Sequence, residues 1–225
     1  MTTAADLAEH LAGTPLFAAL TPADRVALAG HMRLRRFERG EVVFHREDPA
    51  EHLYVIAAGT MKVSVPDEHG REVVVALLRG GDVFGDLALF DASPRSATVT
   101  ALTETDLLTL GRAEFMSVLE RNTSAMRQML ALLASMVRRS TGHVEDLVFL
   151  DLPGRVAKCL LDLSEIAGEQ RKLDLTQEDV AAFVGATRVS VNRVLADLEH
   201  RGALRLGRRH IEILDVPLLQ SEIRY

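Results

Sequence analysis

The sequence predicts an α+β fold in three successive parts: a β-roll or jelly roll, one long helix, and a small C-terminal domain of helices closed by a hairpin. Three observations predict it. From Leu34 to about Leu110 apolar residues alternate with period two, and glycine-bearing turns recur at close spacing. After Arg112-Ala113-Glu114-Phe115 the apolar steps lengthen to three and four. Near the end, two short alternating runs flank Gly207-Arg208-Arg209-His210. These parts divide the chain into 1–120, 121–151 and 152–225.

Taken in order, the residues to about Glu9-His10 read as a short polar helix or a frayed end, broken by Thr14-Pro15. Thr21-Pro22-Ala23-Asp24 starts a helix, with Thr21 as cap and Pro22 in the first turn. Val26, Leu28 and Met32 then face inward. The strands follow. Arg35-Arg36-Phe37 and Val42-Val43-Phe44 flank Arg39-Gly40-Glu41. Leu53 to Ile56 precedes Ala58-Gly59. Met61 to Val65 precedes the turn Pro66-Asp67-Glu68-His69-Gly70. Val73 to Leu78 precedes Arg79-Gly80-Gly81-Asp82, and Ala97 to Leu102 and Asp106 to Leu110 complete the set.

The long helix carries Met126, Leu130, Leu133, Val137, Val144 and Leu147 at heptad spacing, with polar Ser140 where one core residue is expected. So narrow a stripe needs a partner, either the same helix of a second subunit or the chain's own barrel. Asp151-Leu152-Pro153-Gly154 ends the seam. Pro153 disfavours helix at Leu152, which predicts a hinge there and a new helix from about Arg155 to Ala167.

The stretch from Leu175 to Glu199 reads as two helices around a tight turn. Val180, Ala181 and Val184 form the apolar stripe of the first, and Gly185 ends it in a left-handed turn. Thr187 caps the second, whose inner face is Val191, Val194, Leu195 and Leu198. Its outer face carries Arg188, Ser190, Asn192 and Arg193. A capped helix projecting arginines from its first turns suits insertion into a DNA major groove. With the hairpin tip Arg208-Arg209 behind it, this is the pattern of a winged helix-turn-helix. Thr176 and Thr187, at the two helix starts, join the candidate DNA-facing residues. A plain helical hairpin with a solvated charged face is the alternative.

The chain of 225 residues is 48% hydrophobic and 26% charged, as a soluble two-domain protein would be. Its apolar runs are too short to span a bilayer, and MTTAADLAEH has no basic n-region, so a cytoplasmic protein without membrane contact is expected. The single cysteine, Cys159, excludes internal disulfides and a cysteine-ligated cluster, and reads as a small buried side chain. The net charge of −6 is unevenly spread. Residues 1–151 hold 15 Lys/Arg against 21 Asp/Glu, whereas 152–225 hold 11 of each. From Arg188 to Arg209 six arginines face only Asp197 and Glu199. That local basic patch, rather than the total, governs attraction to phosphate.

Phe84 to Thr98 reads FGDLALFDASPRSAT. Gly85 lets backbone approach a ligand. Leu87 to Phe90 forms one helical turn with free amides at its start. Arg95, among small residues, enters an apolar strand, where its planar fork suits a phosphate, and Ser96 adds a hydroxyl. The alternative is a surface loop in which Arg95 pairs with Asp86 or Asp91.

In FGDLALF with SPRSAT, RRSTGHVEDLVFLDLPGRVAK and VGATRVSVNRVLADLE, the chain resembles the cyclic-AMP receptor/FNR family of bacterial transcription regulators over nearly its whole length. The resemblance implies a homodimeric regulator, controlled by a cyclic nucleotide such as cyclic AMP, that binds double-stranded DNA at palindromic operators and meets RNA polymerase. It implies backbone ligand contacts from Gly85 and Leu87, a ribose contact from Asp86, and phosphate contacts from Arg95 and Ser96. Ser140 and Thr141 would meet the adenine, one of them from the opposite subunit. In DNA, Arg188 and Arg193 would read guanine and Arg208 and Arg209 would approach phosphate.

Two departures stand out. Cyclic-AMP-binding members usually carry Glu where Asp86 stands, which costs about 1.5 Å of reach. The recognition helix has Val189 where the well-known receptor has Glu; Val can touch a thymine methyl but cannot accept from cytosine, so the operator would differ from a TGTGA-type half-site at one base. A ligand-independent regulator with a vestigial pocket is therefore a second reading. An enzyme acting on the nucleotide is a third, without a metal set or nucleophile–base pair to support it. His31, His45, His52 and His69 lack metal-motif spacing and read as surface residues, which leaves a haem-sensing branch open. His143 is expected to face solvent or a partner helix.

Overall fold

The computed structural model describes residues 4–66, 68, 72–166 and 171–224. Asp67, His69 and Gly70 of the expected turn, Ala167 at the expected helix end, and the extreme terminal residues lie outside the described residues. Two compact units form, one from Met1–Val65 with Ala76–Val137 and the other from Pro66–Val75 with Arg138–Tyr225.

The chain begins with α1 (Ala4–Gly13), α2 (Pro15–Ala18) and α3 (Pro22–Ala29). The strands β1 (Arg33–Phe37), β2 (Val42–Phe44), β3 (His52–Ala58), β4 (Thr60–Pro66), β5 (Glu72–Arg79) and β6 (Val83–Phe84) lead to a short α4 (Leu87–Asp91). Strands β7 (Thr98–Ala101) and β8 (Thr105–Gly111) precede α5 (Arg112–Arg121) and α6 (Thr123–Phe149). Two four-stranded sheets result, in the orders β1-β8-β3-β6 and β2-β7-β4-β5. β8 pairs antiparallel with β1 and β3, and β7 with β2 and β4.

The apolar run Leu53-Tyr54-Val55-Ile56 does not alternate because both faces of β3 are buried. Leu53 and Val55 join the core under the helices, with Leu108, Leu110 and Phe115. Tyr54 and Ile56 join the interior between the sheets, with Phe37, Met61 and Phe84. At the N-terminus the expected helices form, and Thr21 caps the one from Pro22, but two details differ. α1 is no frayed end, since Leu7, Ala8 and Leu11 are buried in the first core. Val26 does not face inward but is 49% exposed. It lies two residues, or about 200° around the helix, from buried Leu28.

The long helical stretch breaks once. Asn122 is extended, and its Oδ1 accepts from the Ala125 amide at 3.0 Å, capping α6. The expected seam then divides. Met126 and Leu133 pack against the first core beside buried Ala125 and Met129, whereas Leu130, Val137, Val144 and Leu147 are exposed.

In the second unit α7 runs Leu152–Ile166, so its start is earlier than expected. The break falls at Leu150-Asp151. Asp151 Oδ1 accepts from the Gly154 amide at 2.9 Å, and Arg155 donates to the Asp151 carbonyl at 3.0 Å. Pro153 fits inside this first turn because its missing N–H would have had no helical partner there. Next come β9 (Lys172–Leu173), α8 (Gln177–Val184), α9 (Arg188–His200), β10 (Leu204–Leu206), β11 (Ile211–Ile213) and α10 (Val216–Glu222). The strands form one sheet in the order β10-β11-β9. Among the described residues, no helix is long and apolar enough to cross a membrane.

Candidate ligand pocket and nucleic-acid interface

Arg95 is the centre of the candidate ligand site in the first unit. It is only 3% exposed, and it turns neither to solvent nor into an ion pair with Asp86 or Asp91. Nη1 donates to the Gly85 carbonyl at 2.6 Å and Nη2 to the His52 carbonyl at 2.7 Å. Its Cζ lies 4.2 Å from the Phe44 ring centroid and 5.7 Å from that of Tyr54. Nε is buried without a hydrogen-bond partner among the described residues. Burial lowers the guanidinium pKa, against which Tyr54 and the Asp86 charge act.

Gly85 is required by this packing. Its φ is +77°, and a Cβ there would lie 2.8 Å from Arg95 Nη1 and 3.2 Å from the His52 oxygen. The expected helical turn forms as α4, with Leu89 donating to the Asp86 carbonyl at 2.9 Å. Asp86 itself is 1% exposed, and its Oδ2 has no hydrogen-bond partner among the described residues. Burial raises its pKa, while the adjoining backbone amides and the Arg95 charge pull it down. Leu87 and Ser96 are exposed beside this group. Asp91 accepts instead from the Ser93 amide at 3.0 Å. Gly85, Asp86 and Arg95 thus come together, while Ser140 and Thr141 are exposed residues of α6 in the other unit.

Sequence reasoning missed Phe44, Tyr54 and the His52 carbonyl. The one available signal was scarcity. Aromatic residues make up 4% of the chain, so two of them at one arginine, braced by a third, Phe84, is informative. No group of His, Cys, Asp and Glu that could hold a metal exists among the described residues. His31, His45 and His52 are exposed. His143 does not face open solvent: it is half-buried, with Nε2 enclosed and lacking a hydrogen-bond partner among the described residues. Burial, reinforced by the Asp162 charge, pushes the Cys159 thiol up, so it stays protonated.

In the second unit the turn is built as the residues demand. Thr176 and Asp179 form a reciprocal cap, the Thr176 hydroxyl accepting from the Asp179 amide at 3.1 Å and Asp179 Oδ2 from the Thr176 amide at 2.8 Å. Gly185 closes α8 with φ +63°. Thr187 Oγ1 accepts from the Ser190 amide at 3.2 Å and starts α9. Val191, Leu195 and Leu198 are buried, which turns Thr187, Arg188, Val189 and Arg193 outward. Ser190 and Asn192 are half-buried, and Asn192 Oδ1 has no hydrogen-bond partner among the described residues.

The wing tip closes with Gly207 donating to the His210 carbonyl at 2.8 Å. β9 adds a third strand that the sequence reading did not anticipate. Two of the six arginines in this region are spent on structure. Arg201 binds Asp197 and Glu222, and Arg205 binds Glu212. Arg188 lies 3.8 Å from Glu178, a loose exposed pair. Arg193, Arg208 and Arg209 are exposed without an ion pair among the described residues. The basic surface is therefore narrower than the raw count suggests, and lies on the outer face of α9 and the wing.

Comparison with known proteins bears on both units. Residues 34–122 match the model of the cyclic nucleotide-binding domain, and residues 154–222 that of the Crp-like helix-turn-helix domain. The chain thus carries a cyclic nucleotide-binding domain followed by a Crp-like helix-turn-helix domain. The chain is 36% identical over 222 residues to a CRP-like cAMP-activated global transcriptional regulator of Mycobacterium tuberculosis, covering 96% of this chain and 99% of that one. It is 31% identical over 209 residues to the cyclic AMP receptor protein of Thermus thermophilus, covering 93% and 96%. A transcriptional regulator of the Crp/Fnr family from Eubacterium rectale shares the fold, with a TM-score of 0.81 at 21% identity, over 95% of this chain and 99% of that one. The chain belongs to the cyclic-AMP receptor/FNR family of transcription regulators; it is a DNA-binding regulator with a cyclic-nucleotide domain and not an enzyme.

Proposed function

We propose that the chain is a homodimeric regulator whose operator affinity is set by cyclic AMP bound beside Arg95. The observation that carries this is a guanidinium held under the barrel surface with its Nε unspent, next to an equally unspent Asp86 oxygen. The cyclic phosphate would take Arg95 and Ser96, the backbone of Gly85 and Leu87 would line the ligand, and Asp86 would accept from the ribose hydroxyl. Ser140 and Thr141 enter as adenine contacts through the resemblance alone. The names of the Mycobacterium and Thermus relatives support cyclic AMP as the ligand.

The functional division remains 1–120, 121–151 and 152–225. Exposed Leu130, Val137, Val144 and Leu147 supply the face for a second subunit. Two copies would place two α9 helices on a palindromic operator, with Arg188 and Arg193 at base edges, Val189 at a thymine methyl, and Arg208 and Arg209 at phosphates. Thr176, Thr187, Ser190 and Asn192 would border that contact. Such a regulator works in the cytoplasm, where the operators are, and acts with RNA polymerase.

Calorimetry against a panel of cyclic mono- and dinucleotides tests this. Wild type should bind cyclic AMP, and Arg95→Ala should lose that binding at least 100-fold, an order-of-magnitude expectation for a buried charge-assisted contact, while circular dichroism stays native. Equal affinity in both proteins would remove the pocket assignment. Asp86 favours a second reading, a ligand-independent regulator, because its short carboxyl is buried rather than presented. Heat release with none of the panel would favour that reading.

A further inference from the structure

The guanidinium of Arg95 is held both within its plane and on its face. Its two terminal nitrogens are fixed by the carbonyls of Gly85 and His52. Those bonds define the plane but leave the face of that plane to be filled. The Phe44 ring fills it, 4.2 Å from Cζ. Phe44 in turn touches Tyr54 and Phe84, with centroids 5.7 and 6.0 Å away, so its ring is braced by the core between the sheets.

Backbone geometry aims this ring. The register of β2 against β7 shifts between Val42, opposite Thr100, and Phe44, opposite Val99. Such an irregularity re-aims the side chain that follows it. Directly after Phe44 the chain doubles back through a tight turn. Asp48 Oδ2 accepts from the His45 amide at 2.8 Å, and Glu47 takes φ +71° without being glycine. The turn then grips the backbone of Arg95 on both sides. Glu47 donates to the Arg95 carbonyl and Arg95 donates to the Asp48 carbonyl, both at 2.9 Å. One short segment, Phe44 to Asp48, therefore holds the same arginine by its main chain and by its side chain.

We infer that Phe44 is a positioning residue for Arg95, stacking on the guanidinium and pinning the tilt of a plane whose in-plane orientation the Gly85 and His52 carbonyls set. A leucine of similar bulk fills the space but has no negative ring face and no flat surface to stack on. A tyrosine keeps both. The inference about ligand affinity rests on the cyclic-nucleotide reading; the inference about arginine geometry does not.

The test has two arms, each run on wild type, Phe44→Leu and Phe44→Tyr of the full chain. In the free protein, the Arg95 Nε–H resonance is assigned by NMR with Arg95→Lys. Wild type and Phe44→Tyr should show the upfield shift of a proton over an aromatic face, and Phe44→Leu should lose it. In calorimetry with cyclic AMP, Phe44→Tyr should bind within about twofold of wild type and Phe44→Leu about tenfold more weakly. Thermal midpoints of the three check that all are folded; should the leucine variant unfold, the wild-type shift alone still decides, and its absence overturns the assignment. An unmoved resonance in Phe44→Leu, or wild-type affinity in that variant, overturns it as well. If wild type binds no cyclic AMP but the resonance moves as expected, the positioning role stands and the ligand reading falls.

Discussion

Arg95 is held within its plane by the carbonyls of Gly85 and His52 and on its face by Phe44, so one buried side chain ties three parts of the first unit together. FGDLALF and SPRSAT marked Gly85 as a place where backbone can approach a ligand and Arg95 as an arginine entering an apolar strand, while Asp86 was marked by the resemblance. What the sequence could not disclose was who satisfies the guanidinium. One acceptor is the backbone of His52, 43 positions away, and every residue has such a carbonyl. Asp86 carries a prediction of its own. Burial raises its pKa in the folded chain, so the folded state keeps a proton that the unfolded state has already released. Stability should fall as pH rises from the ordinary carboxylate range through the raised value, because the unfolded chain binds fewer protons there. Asp86→Asn should flatten that decline in thermal midpoints taken at successive pH values. An unchanged slope would assign the pH dependence to other groups.

Elements with strong local chemistry were read well, and those defined by tertiary packing were not. Val42–Phe44 matched β2 to the residue, and Thr176, Gly185 and Thr187 bounded α8 and α9 as their capping chemistry required. Two-residue β6 and β9 escaped notice because such strands exist only through their neighbours, β3 and β11. α10 was missed although Asp215 caps it, accepting from the Leu218 amide at 2.9 Å. Pro153 misled for a physical reason, since a proline in the first turn forfeits no bond. The reciprocal Thr176–Asp179 cap should be measurable. Thr176→Ala is expected to destabilise the helix-turn-helix unit by about 1 kcal/mol in denaturant unfolding. A change below roughly 0.3 kcal/mol would mean that tertiary packing alone sets the start of α8.

At the scale of the whole molecule, charge and apolar surface are segregated by role. The excess acid lies in residues 1–151, while exposed Arg193, Arg208 and Arg209 sit on α9 and the wing. That arrangement favours phosphate at one surface and discourages it elsewhere. Exposed Leu130 and Val144 on α6, two heptads apart, are expected to meet their counterparts in a second copy. Leu130→Glu with Val144→Glu should shift sedimentation from dimer to monomer and leave helix content intact; a monomeric wild type would refute the paired helix outright.

A small ligand held at Arg95 is expected to change how strongly α9 and the wing hold DNA. Fluorescence anisotropy of a labelled palindromic duplex, titrated at fixed salt with and without cyclic AMP, measures that coupling directly. Binding should tighten with the nucleotide by roughly five- to 150-fold, with no such gain for Arg95→Ala. Superimposable wild-type curves with and without cyclic AMP would contradict it.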